Sequence, residues 1–316
     1  MSDSPLVSIV TPSFNQGQFL EETIKSVLAQ TYEPIEYMII DGGSTDGSVE
    51  IIQQYADYLS YWVSEPDRGQ SHAINRGLQR CTGDIIGWLN SDDTLLPDAV
   101  ARVVEAMETT PMVVHGSVRL IDAESKIIAR PKMAKRNQEF GLRTIVGEGL
   151  VNQPGSFWNR AIMERAGYLD EKLNYIMDYE LWVRMALAGA EFKRLPDPPL
   201  ATYRLTSDTK TVSALHKVGL EKLEVLDELL SDTTLVAKTG LSEADLGRAA
   251  RRARGLASLK VARGYWHVPG ERLSALRWLA RATRLWPPCI LIFPEHLLRR
   301  LWLRAMTALG ADPPTW

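Results

Sequence analysis

Residues 6–47 read LVSIVTPSFNQGQFLEETIKSVLAQTYEPIEYMIIDGGSTDG. The apolar run Leu6 to Val10 has the length of a buried strand and ends at Pro12. Gly17 to Gln30 then places Phe19, Leu20, Ile24, Val27 and Leu28 at helical spacing. A second apolar run, Ile35 to Ile40, completes a strand–helix–strand unit. The rhythm continues with helix Ser48 to Tyr55, strand Tyr61 to Val63, helix Gln70 to Gln79 and strand Asp84 to Leu89. Alternation of this kind predicts an α/β fold, a mostly parallel sheet with helices on both faces.

In open α/β sheets ligands gather at the carboxyl ends of the strands. Here those ends carry Thr11 to Asn15, Asp41 to Asp46, Glu65 to Arg68 and Asn90 to Asp93, so polar chemistry converges on one edge. After Pro97 the pattern predicts a helix to about Met107, strands near Val113 to Leu120 and Ile127 to Ala129, and a Lys- and Arg-rich stretch to about Arg143 suited to acceptor-binding loops. Met177 to Ala190 is helical in pattern, with Leu181, Met185 and Ala188 on one side. From about Ala214 onward nearly everything reads as helix. The expected division is a catalytic domain over 1–210 and a basic helical region over 211–316.

Length and composition agree with one large domain plus an appendage: 316 residues, 45% of them hydrophobic. Cys81 and Cys289 are the only cysteines, which supports neither a disulfide framework nor a zinc site and suits a reducing cytoplasm. No signal-peptide pattern is visible, and no run reaches the ~18 to 20 apolar residues that span a bilayer. The net charge of -3 hides an asymmetry, because residues 247–304 hold 13 basic and 2 acidic side chains while 1–246 hold 23 and 36.

Four constellations carry chemistry. Asp41-Gly-Gly-Ser-Thr-Asp-Gly47 joins a carboxylate, flexible glycines and hydroxyls at a strand end; taken alone, an ordinary glycine-rich turn with an N-cap accounts for it equally well. Asn90-Ser-Asp-Asp93 puts two adjacent carboxylates at the end of a buried strand, where a hard divalent cation, Mg or Mn, would offset their repulsion and bridge to a diphosphate. Capping of the following turn is the plainer alternative. Asp178, beside Tyr179, Glu180 and Trp182, is a candidate general base or simply an acid at a helix N-terminus. Asp67 to Gly77 places Arg68, His72 and Arg76 near the same edge, where guanidinium groups bind phosphate. No Walker loop, GxGxxG, GxSxG or HExxH pattern occurs, which disfavours NTPase, dehydrogenase, hydrolase and zinc protease chemistry.

VSIVTPSFNQ, IIDGGSTDGS, DRGQSHAINRG, WLNSDDTLLPDA and NQPGSFWNRAIMERAGYLDEKLNYIMDYELWVRMALAGAEF together resemble the family 2 inverting glycosyltransferases of GT-A fold, over residues 6 to about 205. The resemblance implies a nucleotide-sugar donor, with a UDP-sugar favoured, and a glycan or lipid-linked saccharide acceptor. It implies that Pro12, Phe14 and Asp41 contact the nucleoside, that Asn75 and Asp92 join the donor contacts, and that Asn90 to Asp93 is a DxD-like motif. Asp92 and then Asp93 would hold Mn or Mg. Asn90 departs from the acidic pattern, and Ile74 stands where many relatives carry Arg, leaving Arg68 to supply the positive charge. Asp178 occupies the place of the catalytic base, with Met177 where relatives often have Glu. Tyr179, Trp182 and Trp158 would stack on acceptor sugars, although aromatics in such a region serve a core as readily. Lacking a QxxRW motif, the chain is expected to add a single sugar. The competing functions are a catalytically silent sugar-nucleotide-binding subunit of a synthase complex, against which Asp92 and Asp178 speak, and a nucleotidyltransferase, against which VTPSFNQGQF speaks.

In the tail, residues 271–285 and 295–309 form predicted amphipathic helices, the second with Leu298, Leu301, Trp302, Ala305 and Leu309 opposite Arg299, Arg300 and Arg304. This pattern suits the inner face of the cytoplasmic membrane, making the chain a peripheral cytoplasmic protein. Packing of the same helices on protein is the alternative, and nucleic acid is not an expected partner.

Overall fold

The computed structural model describes residues 4–129, 151–206, 214–232 and 234–289. The chain divides into two compact units, residues 1–213 and 214–316. In the first, the order is β1 (Val7–Ser13), α1 (Gly17–Leu28), β2 (Ile35–Asp41), α2 (Ser48–Gln54), β3 (Tyr61–Ser64), α3 (Gln70–Leu78), β4 (Ile85–Trp88), α4 (Ala99–Ala106), β5 (Met112–His115), β6 (Val118–Ile121) and β7 (Ile127–Ala129). After the undescribed stretch come β8 (Ser156–Asn159), α5 (Arg160–Ala166), α6 (Met177–Leu187), β9 (Glu191–Arg194) and β10 (Ala201–Arg204).

The main sheet has seven strands in the order β3-β2-β1-β4-β8-β5-β9, with β8 antiparallel to its neighbours and the other pairings parallel. Its central strands are the apolar runs of the sequence, and Val7, Ile9, Ile39 and Ile85 are buried with Leu20, Ile24 and Val27 of α1 in one core. That is the expected parallel-sheet pattern of strands covered on both faces. Helix α3 lies very close to β1: a Cβ on Gly77 would stand 2.3 Å from a Val10 methyl, so only glycine permits the approach. The register Ser13↔Asp41↔Ser64 aligns the ends of three strands on one edge.

One expectation needs correction. The predicted single strand Val113 to Leu120 is two strands in two sheets, since β6 leaves the main sheet to join β10 and β7 in the order β10-β6-β7. The switch occurs at Gly116, where a Cβ would lie 2.5 Å from Leu200 Cγ. The antiparallel strand β8, four residues long, is an addition to the strands expected from the sequence. Asn159 ends it and caps α5: its Oδ1 accepts from Ile162 N and from Met112 N, each at 3.3 Å.

The second unit contains α7 (Leu215–Ser231), α8 (Leu235–Thr239), α9 (Glu243–Trp266) and α10 (Arg272–Leu285). Small residues let these helices approach closely: Ala253, Ala257, Ala262 and Ala282 are fully buried, and a Cβ on Gly219 would meet Val261 at 2.6 Å. Ser242 caps α9, accepting from Asp245 N at 3.1 Å. Among the described residues no helix is long and apolar enough to cross a membrane. The predicted helix over 295–309 and the Lys- and Arg-rich stretch to Arg143 lie outside the described residues.

Candidate functional site

A cavity of about 1190 Å³ opens at the carboxyl ends of β1, β2 and β4, and Pro12, Phe14, Gly42, Asp67, Asp92 and Asp178 are part of its wall. The loop leaving β4 forms the floor. Asn90 accepts from Gln70 Nε2 at 2.9 Å and donates to Gln153 Oε1 at 3.1 Å, while Gln153 Nε2 donates to the Trp88 carbonyl at 2.7 Å. This chain of carboxamides needs a group that both donates and accepts, which explains an amide rather than a carboxylate at position 90.

Asp92 and Asp93 sit in different surroundings. Asp92 lines the cavity, whereas Asp93 is fully buried and accepts from Arg204 N at 2.9 Å. Burial, reinforced by the adjacent Asp92 charge, pushes the Asp93 carboxyl well above the usual carboxylate range. Asp93, expected as a second metal ligand, is thus not among the residues that line the cavity. Among the described residues no group of three or more His, Cys, Asp or Glu could hold a metal by itself. Magnesium-like ions are commonly held by one or two carboxylates plus substrate phosphates, and the oxygen donors at Asp92 fit an ion that arrives with a diphosphate.

Pro12 lines the cavity, and Phe14, 60% exposed, stands in its wall. Asp41 does not line it. Its carboxylate is buried and accepts from Gly43 N (3.1 Å), Ser44 N (2.8 Å) and Ser64 Oγ (2.7 Å), so it shapes the loop that presents Gly42. A Cβ on Gly42 would fall 2.7 Å from Asp67 Oδ2, which keeps this part of the wall narrow. Arg68 is also reassigned: its side chain is 69% exposed, and its guanidinium is paired with Glu171 at 2.6 Å, outside the cavity wall. Asn75 is buried, donating to Leu169 O and accepting from Leu169 N, both at 2.9 Å, so it straps chain segments together and does not line the cavity.

That strap positions Asp178. Asn75, together with Ser71, whose hydroxyl donates to Leu173 O at 3.1 Å, fixes residues 169–173 against α3 just ahead of α6. Asp178 sits in the first turn of α6 and accepts from Tyr179 N at 2.7 Å. It reaches the same cavity as Asp92 from the opposite side of the sequence. Asp67, Gln70, Gln153, Asn174, Tyr175 and Tyr203 also line the cavity and were not singled out by sequence reasoning. DRGQ and NQPG were visible as motifs, but a glutamine carries no chemical signature until its partners are known.

Residues 8–166 match the family model described as glycosyl transferase family 2. The chain belongs to that family. An uncharacterized glycosyltransferase of Mycobacterium tuberculosis is 34% identical over 194 residues, spanning 59% of this chain and 71% of the relative. One of Rickettsia typhi is 29% identical over 230 residues, spanning 71% and 70%. Among solved structures, S. aureus TarS has a TM-score of 0.60 at 16% identity, covering 89% of this chain and 54% of TarS, so the chain spans about half the length of that neighbour. The mannosyltransferase PcManGT from Pyrobaculum calidifontis, in complex with GDP-Man and Mn2+, has a TM-score of 0.58 at 18% identity, covering 90% and 88%. At these identities the likeness carries the fold, which is GT-A.

In this family 2 glycosyltransferase the expected acceptor platforms are core residues. Trp158 and Trp182 are 0% and 2% exposed, and with Trp88 they form a three-indole cluster. Trp88 and Trp182 stack at 5.8 Å between centroids, while Trp158 meets them edge-on at 5.5 and 5.6 Å. Their faces are occupied by one another, and neither Trp158 nor Trp182 lines the cavity. Tyr179 is buried as well, and burial pushes its phenol upward. Trp158→Ala is therefore expected to lower stability by about 3–5 kcal/mol in urea unfolding. An unchanged unfolding midpoint with weakened acceptor binding would restore the stacking role.

Proposed function

We propose that this glycosyltransferase moves a sugar from a nucleotide-diphospho-sugar, with a UDP-sugar favoured, to a hydroxyl of a glycan or lipid-linked saccharide, with inversion and with a divalent metal. The observation that carries the reading is that Asp92 and Asp178 face one cavity large enough for a donor and an acceptor. Three carboxylates, Asp67, Asp92 and Asp178, belong to its wall, and among the described lining residues there is no Lys, Arg or His. A diphosphate entering such a wall needs positive charge brought with it. That PcManGT is in complex with GDP-Man and Mn2+, and that a fragment of TarS is in complex with UDP-GlcNAc, supports the same reading.

In the proposed reaction, Asp178 accepts the proton of the acceptor hydroxyl as its oxygen attacks the anomeric carbon from the face opposite the leaving group. The bond from that carbon to the diphosphate oxygen breaks, and its electron pair leaves with the nucleoside diphosphate. A bound Mn or Mg supplies charge stabilisation for the departing diphosphate. One displacement inverts the anomeric configuration, and no covalent enzyme intermediate forms. Asp92 orients the donor phosphates, Pro12 and Phe14 border the nucleoside, and Tyr175 beside Asp178 borders the acceptor.

Helix α10 supports peripheral membrane docking. Leu273 and Leu276, 62% and 46% exposed, share its exposed face with Arg272, Arg277, Arg281 and Arg284. Leucine among arginines fits a surface of anionic headgroups, which supports a peripheral position on the inner face of the cytoplasmic membrane. The protein is expected to co-sediment with vesicles containing anionic lipid and not with neutral ones, and a Leu273→Ser, Leu276→Ser double variant to stay in the supernatant. Equal sedimentation of the two proteins refutes this placement.

The donor is identified by thermal shift with UDP-, GDP-, dTDP- and CDP-sugars, with and without Mn2+. One nucleotide is expected to raise the melting temperature in a metal-dependent way, and Asp92→Asn to abolish that response. A full response in Asp92→Asn, or none in the native protein with any nucleotide, removes the donor site from this position. Asp178→Asn is expected to keep the donor-induced shift while turnover falls roughly 10²–10⁴-fold. Native-like turnover in Asp178→Asn excludes it as the base, and a product of retained configuration by NMR excludes the single displacement.

A further inference from the structure

Arg204 closes β10 with only 1% of its side chain exposed. A charge taken that far from water requires partners for its donors. Its Nε donates to the Asp92 carbonyl at 2.8 Å. Nη1 reaches the Asp122 carbonyl at 2.8 Å, the Ala123 carbonyl at 3.3 Å and Ser125 Oγ at 3.0 Å. Nη2 pairs with Glu22 at 2.6 Å, and the guanidinium carbon lies 4.4 Å from the centre of the Phe19 ring. The main-chain N–H of the same residue donates to Asp93 Oδ1. One residue thus grips both members of the Asp92–Asp93 pair, and Phe19, Asp92 and Ala123 around it all line the cavity.

We propose that Arg204 is a positioning residue for the donor site, holding the Asp92 main chain so that the Asp92 carboxylate stands on the cavity wall. This rests on the reading of Asp92 as the donor and metal contact. The planar fork of arginine is required, because three chain segments from different parts of the sequence are held at once, and an ammonium cannot span them. Arg160 provides the internal comparison. Its fork also clamps main-chain carbonyls, Cys81 O at 2.9 Å and Gly83 O at 2.7 Å, but at the amino end of β4 and away from the cavity wall. Loss of either fork loosens the fold, whereas only Arg204 is connected to Asp92.

The test compares the full-length native protein with Arg204→Lys, Glu22→Gln and Arg160→Lys. Glu22→Gln leaves Arg204 in place and weakens its half-exposed anchor, so it carries the comparison if Arg204→Lys fails to fold. Two readouts are taken: amide hydrogen exchange without ligand, and MnCl2 titration at fixed UDP or GDP followed by thermal shift. Arg204→Lys and, more weakly, Glu22→Gln are expected to speed exchange over residues 92–95 and 122–126. The Mn2+ concentration for half-maximal response should rise about tenfold in Arg204→Lys, the scale of lost support behind a metal ligand. Arg160→Lys should melt earlier yet keep native exchange over 92–95 and the native Mn2+ midpoint. Equal midpoints in the two Arg→Lys variants, or unchanged exchange over 92–95, overturn the proposal. If the native protein gives no Mn2+-dependent response with either nucleotide or with dTDP or CDP, the donor-site reading fails, and the exchange over 92–95 alone decides whether Arg204 holds the loop.

Discussion

Strand β4 ends inside the protein, and the polar chain that leaves it must satisfy its hydrogen-bonding groups without much help from water. The rest of the site follows from how that is done. Asn90 is taken up by Gln70 and Gln153, the Asp92 carbonyl by the Arg204 side chain, and the Asp93 carboxyl by the Arg204 main chain. The Asp93 carbonyl accepts from Thr23 Oγ1 at 2.7 Å, and the Thr94 and Thr202 hydroxyls meet at 2.7 Å. Within this loop, with these neighbours held in place, Asp92 is the acidic residue that lines the cavity.

The sequence was legible wherever periodicity is local. The first four strands of the α/β alternation, the helix around Met177 and the described helices after Ala214 lie where hydrophobic spacing puts them. It was less legible where the deciding contact is remote. Nothing local distinguishes Asp92 from Asp93; the difference is made by Arg204, more than a hundred residues away. Arg68 has the chemistry of a phosphate ligand until Glu171 is seen to pair with it. Trp158 and Trp182 look equally suited to a sugar or a core, and only the meeting of β8, α6 and the end of β4 settles which. The β5–β6 boundary was hidden because the residues on both sides favour strands, while Leu200, which packs against Gly116 at the break, lies in a later loop.

The two halves of the described chain use opposite physical strategies. The first builds a large apolar sheet core and concentrates carboxylates and carboxamides at one edge. The second packs helices through alanine and glycine and carries most of its described arginines exposed or half-exposed. The modest net charge of -3 is the sum of these two unlike surfaces.

The indole cluster beneath the cavity has an optical consequence. Trp88 is both a member of that cluster and part of the cavity wall. Indoles at such separations couple their electronic transitions, so their circular dichroism depends on the mutual angle of the rings. A molecule seated against Trp88 changes the polarity and packing at one corner of the coupled set. The protein therefore carries an intrinsic chromophore at its floor, through which occupancy of the cavity can be followed by light without a label.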